Sequence, residues 1–264
     1  MKKKKIIPNS YIIFVFLFLY LPIFVLVFYS FNTSRLNILF EGFTLDWYRT
    51  LFHNQELLEA LRNTLIVTFV STTISTIIGT ISAIGLHNYN FKGKNWINQL
   101  LYIPVVIPEI VLGIALLSVY TLLKLDLGLT TLILSHIAFS IPFVIISVRS
   151  VMDANIDQMK LAAADLGASP SKIFWHITLP SVMPGVTSGA LLAVTLSLDD
   201  VVISYFTAGP GSNTLPLKLF AMIKTGVTPD VNALTTLMLL VIIAILGVFT
   251  IYQTRRIKKV KFYE

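Results

Sequence analysis

At 264 residues, 55% hydrophobic and only 12% charged, the chain is too apolar for a soluble domain and reads as a polytopic membrane protein. It has no cysteine, which excludes a disulfide framework, a thiolate zinc site and a cysteine nucleophile. Its net charge of +7 comes from basic residues clustered at the two chain ends beside apolar runs, a pattern of membrane orientation rather than of nucleic-acid binding.

The chain opens Met1-Lys2-Lys3-Lys4-Lys5 before the apolar run Ile6–Phe31. That run is longer than the roughly 7–15 residues of a signal-peptide core, and no small-x-small cleavage site precedes the polar part. It reads as an uncleaved first transmembrane helix, Pro8–Phe31. Crossing about 30 Å of hydrocarbon takes roughly 20 apolar residues. Five further segments meet that need: Leu61–Leu86, Trp96–Tyr120, Leu129–Val148, Val182–Phe206 and Asn232–Thr254. Backbone groups in lipid must bond within their own segment, so helices are expected, and the lack of period-2 alternation argues against a barrel. Pro104 and Pro108 in the third span, Pro142 in the fourth, and Pro184, Gly185 and Gly189 in the fifth predict kinked, closely packed helices.

Charge gives the orientation. With the N-terminus inside, fourteen of the 20 Lys and Arg fall in the cytoplasm: Lys2–Lys5, Lys92, Lys94, Arg149, Lys160, Lys172, Arg255, Arg256, Lys258, Lys259 and Lys261. Six fall outside: Arg35, Arg49, Arg62, Lys124, Lys218 and Lys224. The positive-inside rule expects this bias for an even number of spans, with both termini cytoplasmic.

Two outer loops are predicted. Asn32–Ala60 carries Leu45-Asp46-Trp47-Tyr48 and the acids Glu41, Glu56 and Glu59; Thr207–Val231 carries the turn Gly209-Pro210-Gly211 and a short amphipathic stretch, Leu215–Lys224. Both are candidates to meet an extracytoplasmic partner. Trp47 either offers a face to an ammonium group or anchors the chain at the membrane interface.

Three carboxylates fall within apolar spans, Glu109, Asp199 and Asp200, and each costs roughly 2.5–3.5 kcal/mol at a helix centre. On straight helices Glu109 lies roughly 20 Å from the cytoplasmic side and Asp199 roughly 26 Å, with the two Asp about 100° apart. They read as an acid-lined path for a cation, with the hydroxyls of Ser197 and Ser204 near the same level; the competing reading is an Asp pair solvated at the outer boundary. His53, His87, His136 and His176 fall at no metal-ligand spacing.

Between the fourth and fifth spans lies LAAADLGASPSKIFWHITLP, Leu161–Pro180: an Ala-rich helix, a Gly turn, an amphipathic turn and a closing Leu-Pro. A structured polar loop of this kind makes sense where something outside the bilayer grips it. Gly167 is expected in a left-handed turn between two helical pieces. The run Ala162, Ala163, Asp165, Leu166, Gly167, Ala168, closed by Leu179 and Pro180, resembles the coupling loop of ABC-importer permeases, the EAA loop. It departs from that pattern where the naming Glu is Leu161. The resemblance implies docking of these residues on a cytoplasmic ATPase.

Further segments narrow the family. Leu198-Asp199-Asp200-Val201-Val202, Thr207-x-Gly209-Pro210, Leu215-Pro216-Leu217-Lys218, Val231-Asn232-Ala233-Leu234-Thr235-Thr236 and Ile107-Pro108-Glu109-Ile110-Val111, with Trp47, are similar to the second permease of spermidine/putrescine ABC importers (the PotC type). That resemblance implies an all-α integral membrane protein of MetI-like fold, one permease domain over 1–264 with six transmembrane helices and a cytoplasmic coupling loop at about 150–181. It implies half of a heterodimeric pore in a bacterial inner membrane, two copies of a cytoplasmic ATPase, one extracytoplasmic polyamine-binding protein and no cofactor. Its substrate path would be Asp199, Asp200, Glu109, Ser197 and Trp47. The chain has no GxxxxGK[ST] sequence, so ATP hydrolysis would fall to the partner. At this level two alternatives stay open: a permease for another solute, and an ion-coupled transporter using the acids as relay groups. A membrane enzyme has no motif to rest on.

Overall fold

The computed structural model describes residues 6–34, 39–225 and 229–260. Lys2–Lys5, Arg35 and Lys261, used in the charge argument, lie outside the described residues. In chain order the helices are α1 (Ile6–Tyr29), α2 (Asp46–Leu51), α3 (Gln55–Asn88), α4 (Lys94–Leu100), α5 (Ile103–Val106), α6 (Glu109–Leu122), α7 (Leu129–Arg149), α8 (Ala154–Asp165), α9 (Pro170–Ile173), α10 (Leu179–Leu198), α11 (Val202–Thr207), α12 (Leu215–Thr225) and α13 (Pro229–Val260), with a π-turn over Phe174–Thr178. The one β feature among the described residues is an antiparallel bridge between Asn32 and Phe43. Among the described residues, four stretches are long and apolar enough to cross a membrane, Tyr11–Tyr29, Gln55–Asn88, Leu129–Arg149 and Pro170–Leu198. A fifth is added if the bent pair Lys94–Val106 and Glu109–Leu122 counts as one span, and Pro229–Ala244 is a shorter apolar helix.

The chain forms two compact units, residues 1–58 with 222–264, and residues 59–221. In the first, α1 packs on α13, and α13 on α2. None of the apolar window of α1 is buried within the chain, and exposed apolar surface of that extent requires lipid or another chain. After α1 the backbone turns back through Thr33 N–H to the Gly42 carbonyl (3.0 Å) and Thr44 N–H to the Phe31 carbonyl (2.7 Å). Buried Asn32 holds the turn, its amide donating to the Leu39 carbonyl at 2.7 Å and accepting from Glu41 N–H at 2.9 Å. Asn54 donates to Asp230 Oδ2 at 2.7 Å, tying the residue before α3 to the first turn of α13.

In the second unit α7 is the central helix, and glycines let its neighbours approach. A Cβ on Gly79 of α3 would stand 2.7 Å from Val144, and one on Gly185 of α10 would stand 2.6 Å from Val151 and 2.8 Å from the Ser147 carbonyl. Those distances are below any real Cβ contact, so Gly is required at both positions. The core around them is Ala83, Ile84, Val144, Ile145, Val148, Val182 and Ala193. Against the other side of the unit, α11 packs on α6 with Phe206 lying over Gly113.

Two expected spans take a different course. The third was expected as one kinked helix, Trp96–Tyr120; the chain instead turns by 112° between Val106 and Glu109. Ile107 is extended (φ −70°, ψ 138°), as a residue before proline tends to be, and Pro108 follows it with ψ 135°. Two successive extended residues end one helix and start another rather than bend it. The fifth was expected as Val182–Phe206. Helical structure begins earlier, at Pro170, and α10 stops at Leu198, with α11 resuming at Val202. Pro180 has no N–H for the carbonyl of His176 and its ring crowds that carbonyl, and the wide π-turn directly before α10 accommodates both. The depth reckoned for Glu109 along a straight helix therefore does not hold, whereas α10 is unbroken from Val182 to Leu198, the stretch over which that of Asp199 was counted.

Candidate functional site

The Asp pair lies in the gap between α10 and α11, not inside a helix. Asp199 (φ −104°, ψ 0°) caps the end of α10, and Val201 (φ −111°, ψ −39°) precedes α11. The two side chains have opposite environments. Asp200 is 8% exposed. Its Oδ1 accepts from Ile203 N–H at 3.1 Å; its Oδ2 accepts from Ser204 N–H and Ser204 Oγ–H, each at 2.7 Å. It thereby supplies acceptors to the open N-H groups that begin α11. His136 Nε2, from α7, stands 3.5 Å from the same Oδ2. Asp199 is exposed, and its carboxylate makes no hydrogen bond or ion pair among the described residues.

Around Asp200 runs a buried polar seam. Ser197, 3% exposed, donates to Thr68 Oγ1 at 3.1 Å and lies 2.8 Å from His136 Nδ1. The far end of α11 is held by the same helix as its start, Thr131 Oγ1 donating to the Thr207 carbonyl at 2.8 Å. Of the residues expected to line a cation path, the structure thus brings Ser197 and Asp200 together in the core and leaves Asp199 facing out. Ser197 and Asp200 are engaged by donors and acceptors at and beside the break itself. Glu109, the first residue of α6, is exposed and shares no hydrogen bond or ion pair with them among the described residues. A carboxylate there is favoured by the positive end of the helix dipole. Trp47 belongs to the other unit; it is half-buried and its indole N–H donates to the Asn32 carbonyl. Among the described residues no group of three His, Asp or Glu could hold a metal.

The segment between α7 and α10 folds as a hairpin of helices. Asp153 caps α8 by accepting from Ile156 N–H at 3.1 Å. At the other end Gly167 has φ +81°, its N–H bonding the Ala164 carbonyl and that of Ala168 the Ala163 carbonyl, both at 2.9 Å. This is a Schellman stop, and Gly is favoured there because the left-handed region strains other residues. Ala162, Asp165 and Leu166 are exposed, Leu166 at 89%, as are Leu161 and Trp175. Ala168 is half-buried. Leu179 packs against the core of the unit with Phe174, so it anchors the hairpin rather than projecting from it, while Pro180 is exposed. On α8, Asp157 accepts from Lys160 at 2.7 Å and lies 3.1 Å from His87 Nε2; Lys160 also donates to Asn88 at 2.7 Å. These bonds fasten α8 to the last turn of α3, beside a cavity of about 730 Å³ lined by His87, Asp157, Lys160, Leu161 and Phe174. The bond from Lys160, then that from His87, holds the Asp157 carboxyl below its ordinary value.

His136, Thr68 and the lysine–aspartate fastening of α8 were missed from the sequence. A signal for His136 was present: an imidazole in the middle of an apolar span is costly unless partnered, and it falls on the stripe Leu132, His136, Phe139, Ser140.

Residues 75–261 match a protein family described as binding-protein-dependent transport system inner membrane component. The chain is 41% identical over 235 residues to the spermidine/putrescine transport system permease protein PotC of Escherichia coli (strain K12), covering 89% of each. It is 38% identical over 251 residues to the putrescine transport system permease protein PotI of the same strain, covering 92% of this chain and 89% of that one. Among solved structures it is similar to a chain of a bacterial ABC transporter involved in the import of the acidic polysaccharide alginate, with TM-score 0.69 and 16% identity over 93% of this chain and 95% of that one. A chain of the inward-facing MetNI methionine ABC transporter gives TM-score 0.56 and 19% identity over 78% and 95%. At such identities the structural likeness concerns the fold.

Proposed function

The chain belongs to the family of binding-protein-dependent transport system inner membrane components, and within that family we propose that it is a permease subunit of an ATP-driven polyamine importer. Its all-α fold is that of ABC-importer permeases, multi-pass in the membrane. Membership removes the ion-coupled and enzymatic alternatives and implies a partner permease, an ATPase and a binding protein. The names of its relatives favour polyamines over other solutes. The finer assignments follow the sequence reading: one permease domain, half of a heterodimeric pore, two ATPase copies, and an extracytoplasmic polyamine-binding protein. The spans would be α1, α3, the bent α4–α6, α7, α10 and α13, with both termini cytoplasmic by the positive-inside bias.

The observation that carries the substrate class is Asp199, a carboxylate exposed at a helix break and in no ion pair among the described residues. A polyamine carries its charge on separated ammonium groups, each needing a compensating carboxylate once water is stripped away. Asp199 serves as the first such station, and exposed Glu109 at the start of α6 as a second. On the cytoplasmic side the α8–α9 hairpin, through Ala162, Ala163, Asp165, Leu166, Gly167, Ala168 and Pro180, meets the ATPase, with Leu179 as its root. Movement there has a direct route to the substrate: Pro170–Leu198 is one helical run of 29 residues, roughly 43 Å, that starts in the hairpin and ends at Asp199.

The test is uptake by proteoliposomes containing the assembled complex, with spermidine and putrescine supplied on the binding protein and ATP inside. The expected result is ATP-dependent uptake that Asp199→Asn depresses without loss of subunits. Uptake of neither polyamine by a fully assembled complex would overturn the substrate assignment.

A further inference from the structure

We infer that His136 is a positioning residue for the cation station: it clamps both sides of the α10–α11 break and so fixes where the exposed Asp199 carboxylate stands, without itself meeting the substrate. The inference rests on the reading of Asp199 as that station.

The backbone alone does little to fix the break. Asp199 N–H bonds only back to the Thr195 carbonyl at 3.3 Å, and regular helix resumes at Val202. What crosses the gap is one ring. His136 Nδ1 is 2.8 Å from Ser197 Oγ, in the last turn of α10; Nε2 is 3.3 Å from Ser204 Oγ, in α11, and 3.5 Å from Asp200 Oδ2, in the break itself. The imidazole is fully buried, with Phe139 of its own helix edge-on to it at 5.3 Å. Behind Ser197 stand Thr68 and Ser71 of α3, so the clamp joins four helices, α3, α7, α10 and α11.

The proton inventory says what the ring does. Ser204 spends its hydroxyl hydrogen on Asp200 Oδ2, so toward His136 it offers only a lone pair, and the carboxylate also only accepts. Nε2 therefore carries a proton and donates into that pair; Ser197 likewise spends its hydroxyl hydrogen on Thr68, so Nδ1 also carries a proton and donates to Ser197 Oγ. Asp200 is in turn unable to act as a ligand for a passing ammonium, because both of its oxygens are engaged and it is buried. Adjacent and identical in type, the two aspartates divide the work. Asp200 ties the break to His136 from inside, and Asp199, one residue away, is held outward by that attachment. Asp200 is the charged group that the structure sets against the ring; its other neighbours are the hydroxyls of Ser197 and Ser204 and the ring of Phe139.

The experiment is a double-mutant cycle on the reconstituted full complex, reading KM and Vmax for spermidine uptake together with subunit stoichiometry. His136→Leu keeps bulk and removes the donors; it is expected to raise KM about tenfold while changing Vmax no more than about twofold. His136→Gln, whose amide nitrogen reaches the Nε2 position, is expected to stay within about threefold of wild type. Combined with Asp199→Asn, His136→Leu should raise KM no further than Asp199→Asn alone, because both changes remove the same positioned charge. A wild-type KM for His136→Leu, or an additive double mutant, overturns the inference while Asp199 stands as the station. A wild-type KM for Asp199→Asn overturns the station itself. If His136→Leu does not assemble, Ser204→Ala carries the test: it leaves the ring and deletes one bond to Asp200, and an unchanged KM there counts against the clamp.

Discussion

Asp199→Asn and Asp200→Asn are near-identical edits one residue apart, and they should fail in opposite ways. At Asp199 the carboxylate is exposed and unbonded, so its amide replacement should change stability by no more than about 0.5 kcal/mol, as for ordinary surface substitutions. At Asp200 the carboxylate accepts three hydrogen bonds of 3.1 Å or less and faces a histidine nitrogen at 3.5 Å. An asparagine keeps one acceptor oxygen and puts an NH2 where the other oxygen was, so it meets donors with a donor. If its oxygen keeps the Ser204 pair, Ile203 N–H loses its partner; if it keeps Ile203, both Ser204 donors and His136 lose theirs. Each orphaned buried donor costs about 1–3 kcal/mol, and breaking a buried charge pair about 3–5 kcal/mol. Against a typical net stability of about 5–15 kcal/mol, a loss of a few kcal/mol is visible. The assay is thermal denaturation of the solubilised complex beside uptake: Asp200→Asn should lower the midpoint and the yield, and Asp199→Asn should lower uptake with an unchanged midpoint. Equal midpoints for the two variants, or a lowered one for Asp199→Asn alone, would refute the division of roles.

Three further outcomes follow from the same geometry. No atom lies within 4 Å of where a Cβ on Gly167 would be, so Gly167→Ala costs only the left-handed strain, about 1–2 kcal/mol, and Gly167→Leu should uncouple ATP hydrolysis from uptake while the permease still inserts. Normal uptake and normal ATPase co-purification in the Leu variant would remove the hairpin from the coupling path. Glu109→Gln should reduce polyamine uptake less than Asp199→Asn and leave the melting midpoint in place; a loss as deep as at Asp199 would make it the first station instead. Lys160 and then His87 hold the Asp157 carboxyl below its ordinary value of 3.8, so their fastening of α8 is complete above that value and is lost as pH falls through the lowered one. Amide exchange of α8 should therefore be level from pH 7 to about pH 5, after correction for intrinsic exchange rates, and rise only below about pH 4; Asp157→Asn should show the looser state throughout.

Spans and loops were legible because they rest on quantities additive along the chain. Apolar length places α1, α3 and α7, and Gly167 between two helical pieces announces its own conformation. The prolines were visible too, but their effect was read one step short. Pro108 was expected to kink a helix, while the extended residue it imposes on Ile107 ends one. What stayed hidden was set by contacts distant in sequence. Nothing in the sequence around them announces the break that makes Asp200 the acceptor for Ile203 and Ser204, and His136, which meets it there, arrives from more than sixty residues earlier.

That arrival also explains why an interrupted helix suits this position. An unbroken helix through residue 199 would have its backbone groups bonded internally and would offer a carboxylate only on a fixed stripe. Interrupting it leaves N–H groups at the start of α11 that need acceptors, and Asp200 supplies them at the cost of a buried charge that needs a donor in turn. His136 meets that need and, by reaching Ser197 as well, joins the end of α10 to the beginning of α11. The break is therefore rigid without being helical. Under the proposed coupling, a movement begun in the α8–α9 hairpin would arrive at Asp199 as a displacement of a fixed carboxylate rather than as a loosening of the chain. A permease that must hold an ammonium group and then release it needs the carboxylate to move as a unit, and the buried seam beneath it supplies that stiffness.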